Sequence, residues 1–163
     1  MPKAKKTAAA SGEQVVTQNR SAPYNYHLLE RMEAGMVLLG TEVKALREGK
    51  ANLRDSYAVV HKDAVWLLNC HISQYLPGGP FNHEALRPKK LLLRQAEIDK
   101  LAGKTEQKGL TLIPLRIYFN KGGYAKCELA LARGKKQWDR RQSEREKEAK
   151  RETTDAMYRY RHR

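Results

Sequence analysis

The sequence predicts a mainly β protein: a closed or nearly closed antiparallel barrel of about six strands, with two or three short flanking helices and a basic C-terminal tail. Short segments rich in β-branched and aromatic residues recur along the chain, separated by turn residues. Their order does not alternate strand and helix, and small barrels or sandwiches are the architectures that bury so many short antiparallel strands. The 163 residues leave room for one such domain and its tails.

The first 22 residues predict a flexible basic arm ahead of the barrel. Residues 1–22 are rich in Ala, Lys, Ser, Thr and Gln and carry little apolar surface to bury. The arm starts with positive charge, as a signal peptide does, but the small residues that follow are too few and too weakly apolar for one. The chain also has no run of about 18 apolar residues, so no membrane span is predicted. The barrel is expected over residues 23–133.

The first part of the barrel is predicted to hold two strands and a helix. Residues 24–28 alternate aromatic or apolar with polar side chains, as a half-buried strand does. Gly35 offers a turn, and the apolar run 36–39 that follows fits a second strand. Thr41 is a plausible N-cap for a short helix over 42–48, with a glycine behind it as a stop.

A hairpin and a surface loop come next. Residues 55–61 and 64–72 are rich in β-branched and aromatic residues, and the polar pair 62–63 separates them, which predicts two paired strands. Residues 77–83 hold two glycines and two prolines, so they are expected to form an irregular loop.

A helix and a second hairpin complete the predicted barrel. Residues 91–101 mix apolar and charged side chains at helical spacing, and Gly103 would end that helix. Strands are predicted over 110–119 and 124–131, with a glycine-rich turn between them. Pro114 lacks an N–H for the sheet, so it is expected at an edge or a bulge.

The charge of the chain points to a polyanionic partner. The formal net charge is +14, from 32 Lys and Arg against 18 Asp and Glu, and residues 133–163 alone hold 12 basic against 6 acidic residues. A basic chain can also serve solubility or meet an anionic membrane, but this distribution favours nucleic acid. Among small barrels, the oligonucleotide-binding (OB) type has the usual ligand that matches this charge, so the predicted barrel is OB-fold-like. Fold alone does not establish the function.

Cations surround one exposed aromatic side chain where the last strand meets the tail. Alternation stops at Gly134, and the residues that follow include Lys135, Lys136, Trp138, Arg140 and Arg141. Fixed cations attract phosphates, and an indole can stack on a base. A solvated strand end is the alternative, but an exposed tryptophan is costly unless something covers it. We predict an RNA-contacting corner here.

The tail over residues 134–163 is predicted to be disordered in the free protein and helical against RNA. It has helix formers and favourable pairs four residues apart, such as Glu146 with Lys150, each contributing about 0.3 kcal/mol. It lacks an apolar stripe, and such pairs alone do not hold a free helix. Phosphates that neutralise its cations would favour the helix.

No catalytic or metal-binding motif is recognisable in the sequence. It contains no H-E-x-x-H, G-x-S-x-G or phosphate-loop pattern. Cys70 and His71 are adjacent on a predicted strand and would point to opposite faces, so they do not form a ligand pair. Cys70 and Cys127 are expected to be buried thiols. We therefore predict no enzyme activity, no metal and no cofactor.

Three glutamates are candidates for paired carboxylates in acid/base catalysis. Nothing in the sequence brings Glu30, Glu33 and Glu42 into one cleft, and such side chains usually lie in solvent or pair with Lys or Arg. A metal-dependent nuclease on a small barrel stays formally open, although no acidic metal-binding cluster is visible. A general single-strand RNA-binding protein or RNA chaperone is the other alternative.

An ordered set of motifs resembles the small protein B family, from Asn19 to Arg141. The motifs are G-T-E-V-K-A-L-R-E-G-K-A-N-L-R-D-S-Y (40–57), N-C-H-I-S-Q-Y (69–75), R-P-K-K-L-L-L (87–93), G-L-T-L-I-P-L (109–115) and A-R-G-K-K-Q-W-D-R-R (132–141). The resemblance implies an OB-like barrel that binds the tRNA-like domain of transfer-messenger RNA (tmRNA) and brings it to stalled ribosomes for trans-translation. It further implies a cytoplasmic protein whose tail enters the vacant mRNA channel, with no membrane and no small-molecule substrate.

The resemblance also implies two sets of contact residues. By matching position, the RNA-binding residues would be Asn19, Tyr26, Glu33, Leu92 and Lys126. The residues near the decoding centre and its 16S rRNA would be Gly134, Lys135, Lys136, Trp138, Asp139, Arg140 and Arg141. Trp138 departs from the family pattern, where His or Tyr is expected. Stacking on a base survives that change, whereas a role that needs a small or titrating ring does not.

Overall fold

The computed structural model of the protein describes residues 12–107 and 109–161. Within these ranges the strands are β1 Gln14–Gln18, β2 Tyr26–Met36, β3 Ala51–Asn52, β4 Tyr57–His61, β5 Ala64–Leu68, β6 His71–Ile72, β7 Lys89–Leu92, β8 Leu110–Phe119 and β9 Ala125–Gly134. The helices are α1 Ala22–Asn25, α2 Gly40–Arg47, α3 Gln95–Thr105 and α4 Gln137–Arg161, with a 3-10 segment over Leu76–Phe81.

Six strands close into an antiparallel barrel in the order β8, β4, β5, β7, β2, β9, because β9 pairs with both β2 and β8. β1 adds to β8 outside this ring, and β3 with β6 forms a separate two-stranded ribbon. Closure leaves no free sheet edge within the ring, which removes the unpaired backbone groups of an open sheet. The predicted mainly β, OB-like barrel of about six strands is confirmed.

Pro114 lies at a β-bulge in the middle of β8. The pairing of β8 with β9 shifts register between Pro114 and Arg116. On the opposite edge, β4 contacts β8 at Leu112 and β1 pairs from Arg116 onward, so the proline falls in the gap between them. A residue without an N–H costs no ladder bond there. The prediction of an edge or bulge position is confirmed.

The barrel interior is filled mainly by aliphatic side chains. They come from the strands of the ring and also from α2, β6 and the segment after β3. Fully buried members include Leu46, Leu53, Leu67, Ile72, Leu91, Leu112, Ile117 and Leu129. Cys70 and Cys127 lie in this core as free thiols, as predicted. Burial raises the pKa of the Cys70 thiol to about 11 and raises the pKa of Cys127 further. Both thiols are therefore protonated and unreactive at neutral pH.

A buried ionic network joins α2 to the loop before β7. Glu42 is 0% exposed, and its carboxylate accepts two hydrogen bonds from Arg87, at 3.1 Å from Nε and 2.6 Å from a terminal nitrogen. Lys89 is also 0% exposed and donates to the carbonyl oxygens of Cys70 and Arg87 at 2.9 and 2.8 Å. Burial lowers the pKa of Lys89, while the bonds to Glu42 raise the pKa of Arg87. The network fixes the start of β7 against α2.

Arg87→Ala is expected to destabilise the fold by about 3 kcal/mol, because it leaves the buried Glu42 carboxylate without its bidentate partner. Urea unfolding of the full chain measures this. Arg54→Ala is the matched control: the Arg54 guanidinium lies 4.0 Å from Asp55, and both side chains are more than four-fifths exposed. Its loss should cost less than about 0.5 kcal/mol. Equal losses of unfolding free energy in the two variants would show that the buried network stabilises the fold no more than an exposed ion pair does.

Two sequence predictions in the first half of the chain are wrong in detail. Residues 14–18, expected in the flexible arm, form β1, because β8 offers them an unpaired edge beyond the end of β4. The predicted turn at Gly35 is absent: β2 runs unbroken through it to Met36. A Cβ on Gly35 would lie 3.3 Å from the Leu92 Cβ, so the glycine permits close approach of β7 rather than a turn.

Helix and strand ends also differ from the predictions. α2 begins at Gly40 rather than after Thr41, and the Glu42 carboxylate accepts from the Leu39 N–H at 2.8 Å. The strand predicted over 64–72 stops at Leu68, because Asn69 has a left-handed φ of 56°. The helix predicted over 91–101 is wrong at its start. Its first residues belong to β7, and α3 runs through Gly103 to Thr105.

The tail differs from the predicted disordered state, since α4 spans Gln137–Arg161 as one helix. Its first turns are held to α1: the Tyr24 hydroxyl donates to Glu144 at 2.8 Å, and Lys135 donates to the Ser143 hydroxyl and the Pro23 carbonyl at 3.2 and 3.0 Å. Beyond Glu144 every described side chain up to Arg159 is exposed. Local tethering of the first turns supplies the support that the sequence pattern lacks.

Candidate nucleic-acid interface

Three of the five predicted RNA-binding residues line one exposed cleft on the barrel. Glu33 of β2, Leu92 of β7 and Lys126 of β9 surround a cleft of about 520 Å³, together with Arg94 and Glu97 at the start of α3. The sheet register brings them together, because Gly35 pairs with Leu92 on one side and with Lys126 on the other. The cleft therefore spans three adjacent strands.

The three strands contribute one cation, one carboxylate and one exposed aliphatic side chain to the cleft. The Lys126 Nζ lies 3.7 Å from Glu33 Oε1, and the two side chains are 28% and 53% exposed. The Tyr118 hydroxyl, on β8, donates to Glu33 Oε2. Leu92 is 53% exposed despite its size. Such a set can meet a phosphate, accept from a base or sugar donor and support a flat base face.

The other two predicted residues, Asn19 and Tyr26, line a separate polar cleft of about 290 Å³. Asn19 is fixed by the barrel: its backbone N–H donates to the Leu115 carbonyl at 2.7 Å, and its amide donates to the Pro114 carbonyl at 3.2 Å. The Ser21 hydroxyl donates to the Asn19 side-chain oxygen at 2.8 Å. The five predicted residues are thus divided between two clefts.

The first cleft lies on the outer face of β2 and β9, whereas the second is lined by residues beside α1, at the start of β4 and on β8. Leu129 and Leu131 point into the main core, whereas Ala130 and Ala132 pack with Tyr26 and Leu28 under α1. Alternation along β9 places Lys126 on the same outer face as Ala130. Tyr26 pairs with Gly134 and Gly35 with Lys126, so Tyr26 of the second cleft and Lys126 of the first are separated by eight residues of β9, roughly 26 Å.

The predicted corner over 134–141 lies at the far end of β9. Its exposed members are Gly134, Lys136, Trp138 and Arg141, and Trp138 is 62% exposed. Its half-buried members, Lys135, Asp139 and Arg140, face the protein. Asp139 accepts a hydrogen bond from the Lys136 N–H at 3.3 Å, which caps the first turn of α4. The same carboxylate lies 3.5 Å from the His27 ring. The cations and the indole that remain exposed can reach an external ligand.

Sequence reasoning missed Tyr118 and Arg116, two residues of β8 that support the first cleft. Tyr118 pairs with Lys126 and Arg116 with Glu128 in the β8–β9 hairpin. Arg116 bonds to Glu128 and to Glu13, at 3.1 Å for the latter, and its guanidinium lies 4.4 Å from the Tyr118 ring centre. The register of the predicted hairpin, counted from its turn, could have revealed both.

The three glutamates considered as acid/base groups are each held by other partners. Glu30 accepts from Lys100 and Lys104 at 2.5 and 2.6 Å, and these bonds lower its pKa to about 2. Glu42 is bound by Arg87, and Glu33 by Tyr118 and Lys126. His83 is buried and bonds to Thr41 and the Ile72 carbonyl, both at 2.9 Å. Ordinary packing accounts for these groups, as the sequence predicts.

The described part of the chain holds neither a cluster of metal ligands nor a membrane-spanning helix. Over residues 12–107 and 109–161, no three His, Cys, Asp or Glu side chains come together as a metal site would require. Among the same residues, no helix combines the length and apolar character needed to cross a bilayer.

A closed OB-like barrel with two polar surface clefts and a basic helix at one corner defines a nucleic-acid-binding class of protein. A family model described as SmpB protein matches residues 16–159. The chain belongs to the SmpB protein family.

Relatives and a solved structure agree with this assignment. The SsrA-binding protein of Desulforudis audaxviator is 55% identical over 91% of this chain and 96% of its own. That of Carboxydothermus hydrogenoformans is 52% identical over 89% of this chain and 97% of its own. A solved chain from a structure described as "tmRNA-SmpB: a journey to the center of the bacterial ribosome" has a TM-score of 0.64 at 50% identity, over 74% of this chain and 85% of the other.

Proposed function

We propose that this chain is a noncatalytic RNA-binding adaptor. It binds the tRNA-like domain of tmRNA and delivers it to the A site of stalled ribosomes for trans-translation. The relatives named SsrA-binding protein and the structure described as tmRNA-SmpB support this function. The observation that carries it is the assembly of Glu33, Leu92 and Lys126 from three strands into one exposed cleft, at the opposite end of β9 from the basic corner.

In this proposal the outer face of β2 and β9 holds the tRNA-like domain. Lys126 meets a phosphate, and the exposed Leu92 supports a base or ribose face. Asn19 and Tyr26 contribute from the second cleft, where Tyr26 lies roughly 26 Å from Lys126 along the strands. A compact RNA that bends over this distance can reach both clefts at once, whereas a short single strand in one cleft cannot. Two separated clefts therefore favour a folded RNA partner.

The corner and the tail act on the ribosome. Lys136, Trp138 and Arg141 are exposed at the start of α4 and can meet rRNA at the decoding centre, with Trp138 stacked on a base. α4 as a whole is about 37 Å long and extends about 30 Å beyond this corner, which suits a helix that enters a vacant mRNA channel. We propose residues 23–133 as the RNA-binding barrel, 134–163 as the ribosomal tail and 1–22 as an arm that includes β1.

A binding role rather than catalysis fits the state of the carboxylates. Lys100 and Lys104 keep Glu30 ionised, with a pKa of about 2, so Glu30 cannot act as a general acid near neutral pH. Arg87 donates a hydrogen bond to the Glu42 carboxylate, and Tyr118 donates one to the Glu33 carboxylate. Ribosomes work in the cytoplasm, and we place the protein there on the strength of the proposed partner.

Competition binding tests this function against the alternative, a general single-strand RNA-binding protein or chaperone. A labelled tRNA-like domain should resist displacement by unstructured RNA of equal length. A general binder would release it to either competitor about equally. Labelled RNA incubated with the protein and Mg²⁺ should stay intact, since cleavage would point to a nuclease.

The salt dependence of binding should identify Lys126 as a phosphate contact. Affinity for the tRNA-like domain is expected to fall as salt rises, and Lys126→Ala should reduce the slope of log K against log salt by about 1. Lys62→Ala, at the exposed tip of the β4–β5 hairpin, is the control and should leave the slope unchanged. Equal slopes in wild type and Lys126→Ala would remove Lys126 from the RNA contacts.

A further inference from the structure

Tyr118 is a buried tyrosine whose hydroxyl reaches the candidate RNA cleft. Tyr118 is only 2% exposed, yet its hydroxyl donates to Oε2 of Glu33, which lines the cleft. Burial, and then the bond to Glu33, raise the pKa of Tyr118, so the phenol stays protonated and remains a donor. Tyr118 therefore touches the cleft only through Glu33.

The phenol is itself held in place by its neighbours on the sheet. The Arg116 guanidinium lies 4.4 Å from the ring centre, and its nitrogens are bound by Glu128 and by Glu13 at 3.1 Å. Because both carboxylates fix the guanidinium, it forms a rigid lid on one face of the ring. A ring confined in this way directs its hydroxyl to one place.

Glu33 is an unusual residue for a surface that must meet a polyanion, because its charge repels phosphate. A half-exposed carboxylate is tolerated there when it accepts hydrogen bonds from the ligand. Tyr118 occupies one lone pair of Oε2, and Lys126 lies 3.7 Å from Oε1. A carboxylate has about four lone-pair positions, so both oxygens can still accept from a ligand in the cleft.

The remaining acceptors favour a nucleobase with adjacent N–H donors. The two oxygens of a fixed carboxylate match two parallel N–H groups, such as N1–H and the 2-amino group of guanine. Leu92, 53% exposed beside Gly35, offers an apolar surface for a base face. A ribose offers a single 2′-hydroxyl and no flat face, so it uses this arrangement less completely.

We propose that Tyr118 is a positioning residue that orients the Glu33 carboxylate to accept hydrogen bonds from an unpaired nucleobase, with guanine the best match. This inference rests on the proposed function, because it deepens the same RNA site. Loss of the phenol hydroxyl leaves the carboxylate free to rotate, so the cleft loses its fixed pair of acceptors.

The test is a double-mutant cycle on RNA binding by the full chain. Tyr118→Phe should weaken binding of the tRNA-like domain about 5- to 10-fold, as expected for one positioned hydrogen bond to a charged group. Glu33→Gln should weaken it at least as much, and the double variant should bind no worse than Glu33→Gln alone. Tyr124→Phe, an exposed tyrosine at the tip of the β8–β9 hairpin, is the matched control and should bind as wild type does.

A purely structural role for Tyr118 would give the same loss with or without Glu33, and this additivity would overturn the proposal. So would a neutral Tyr118→Phe beside an impaired Glu33→Gln, and in that case the proposed function would survive. If the wild-type protein does not prefer the tRNA-like domain to unstructured RNA, the proposed function itself is contradicted. For the ligand class, inosine in place of unpaired guanosines should weaken binding, while a dependence on 2′-deoxy substitution alone would contradict base recognition.

Discussion

A chain that ends after Asp139 is expected to bind the tRNA-like domain with nearly wild-type affinity and yet to support no peptide tagging on stalled ribosomes. The truncation removes most of α4, from Arg140 onward, and with it the cations that would enter the mRNA channel. It spares both clefts, whose lining residues all precede Lys135. Binding should change less than about threefold, because the lost charge contributes only non-specific attraction.

RNA binding and peptide tagging are both measured for the truncated protein in the same cells, so that binding serves as the control for tagging. Recovery of the RNA with the purified truncated protein reports binding, and tagged peptide from a message without a stop codon reports delivery. Normal tagging by the shortened chain would contradict a ribosomal role for the tail. Loss of the RNA from the purified protein would show that the tail belongs to the RNA site.

Glu33→Arg is expected to weaken binding of the tRNA-like domain about 100-fold, equivalent to about 2.7 kcal/mol. The substitution removes the acceptor for Tyr118 and places a second cation beside Lys126, whose Nζ lies 3.7 Å from the present carboxylate. The buried phenol then lacks its partner, which costs the folded protein about 1–3 kcal/mol of stability, so the variant's fold is checked by thermal unfolding. Isothermal titration or filter binding at fixed salt measures the change.

The sign of this effect separates specific from general binding, because Glu33→Arg makes the protein more basic. A protein held to RNA by charge alone would bind more tightly after the substitution. Glu84→Arg is the matched control: it makes the same change of charge at an exposed position outside both clefts. It should leave selective binding intact. Tight selective binding by Glu33→Arg would refute the assigned cleft.

Local pattern was enough to predict the hairpins, because their strands and turns are encoded by neighbouring residues. Lys62 and Asp63 both adopt left-handed φ, at 47° and 55°, in the two-residue turn expected from the sequence. The bulge at Pro114 follows from its missing N–H. Local pattern could not predict β7, since Lys89 becomes fully buried only because Cys70 and Arg87 offer their carbonyls.

Long-range pairing explains the other differences. β1 forms because β8 extends beyond the end of its partner β4 and leaves an edge to pair with. β2 continues through Gly35 because Leu92 occupies the space that a side chain there would need. The candidate site behaves in the same way. Only Lys126 stands out by charge, whereas Glu33 and Leu92 are implied by the family resemblance alone. The sheet register brings all three into one cleft.

The measurement that tests the central claim most directly is the identity of the RNA that copurifies with the protein from its native cell. A barrel face that grips a folded, tRNA-like RNA predicts one dominant species, and that species should be lost on Glu33→Arg and retained when the chain ends after Asp139. A mixture of unrelated RNAs, bound equally well by Glu33→Arg, would contradict it.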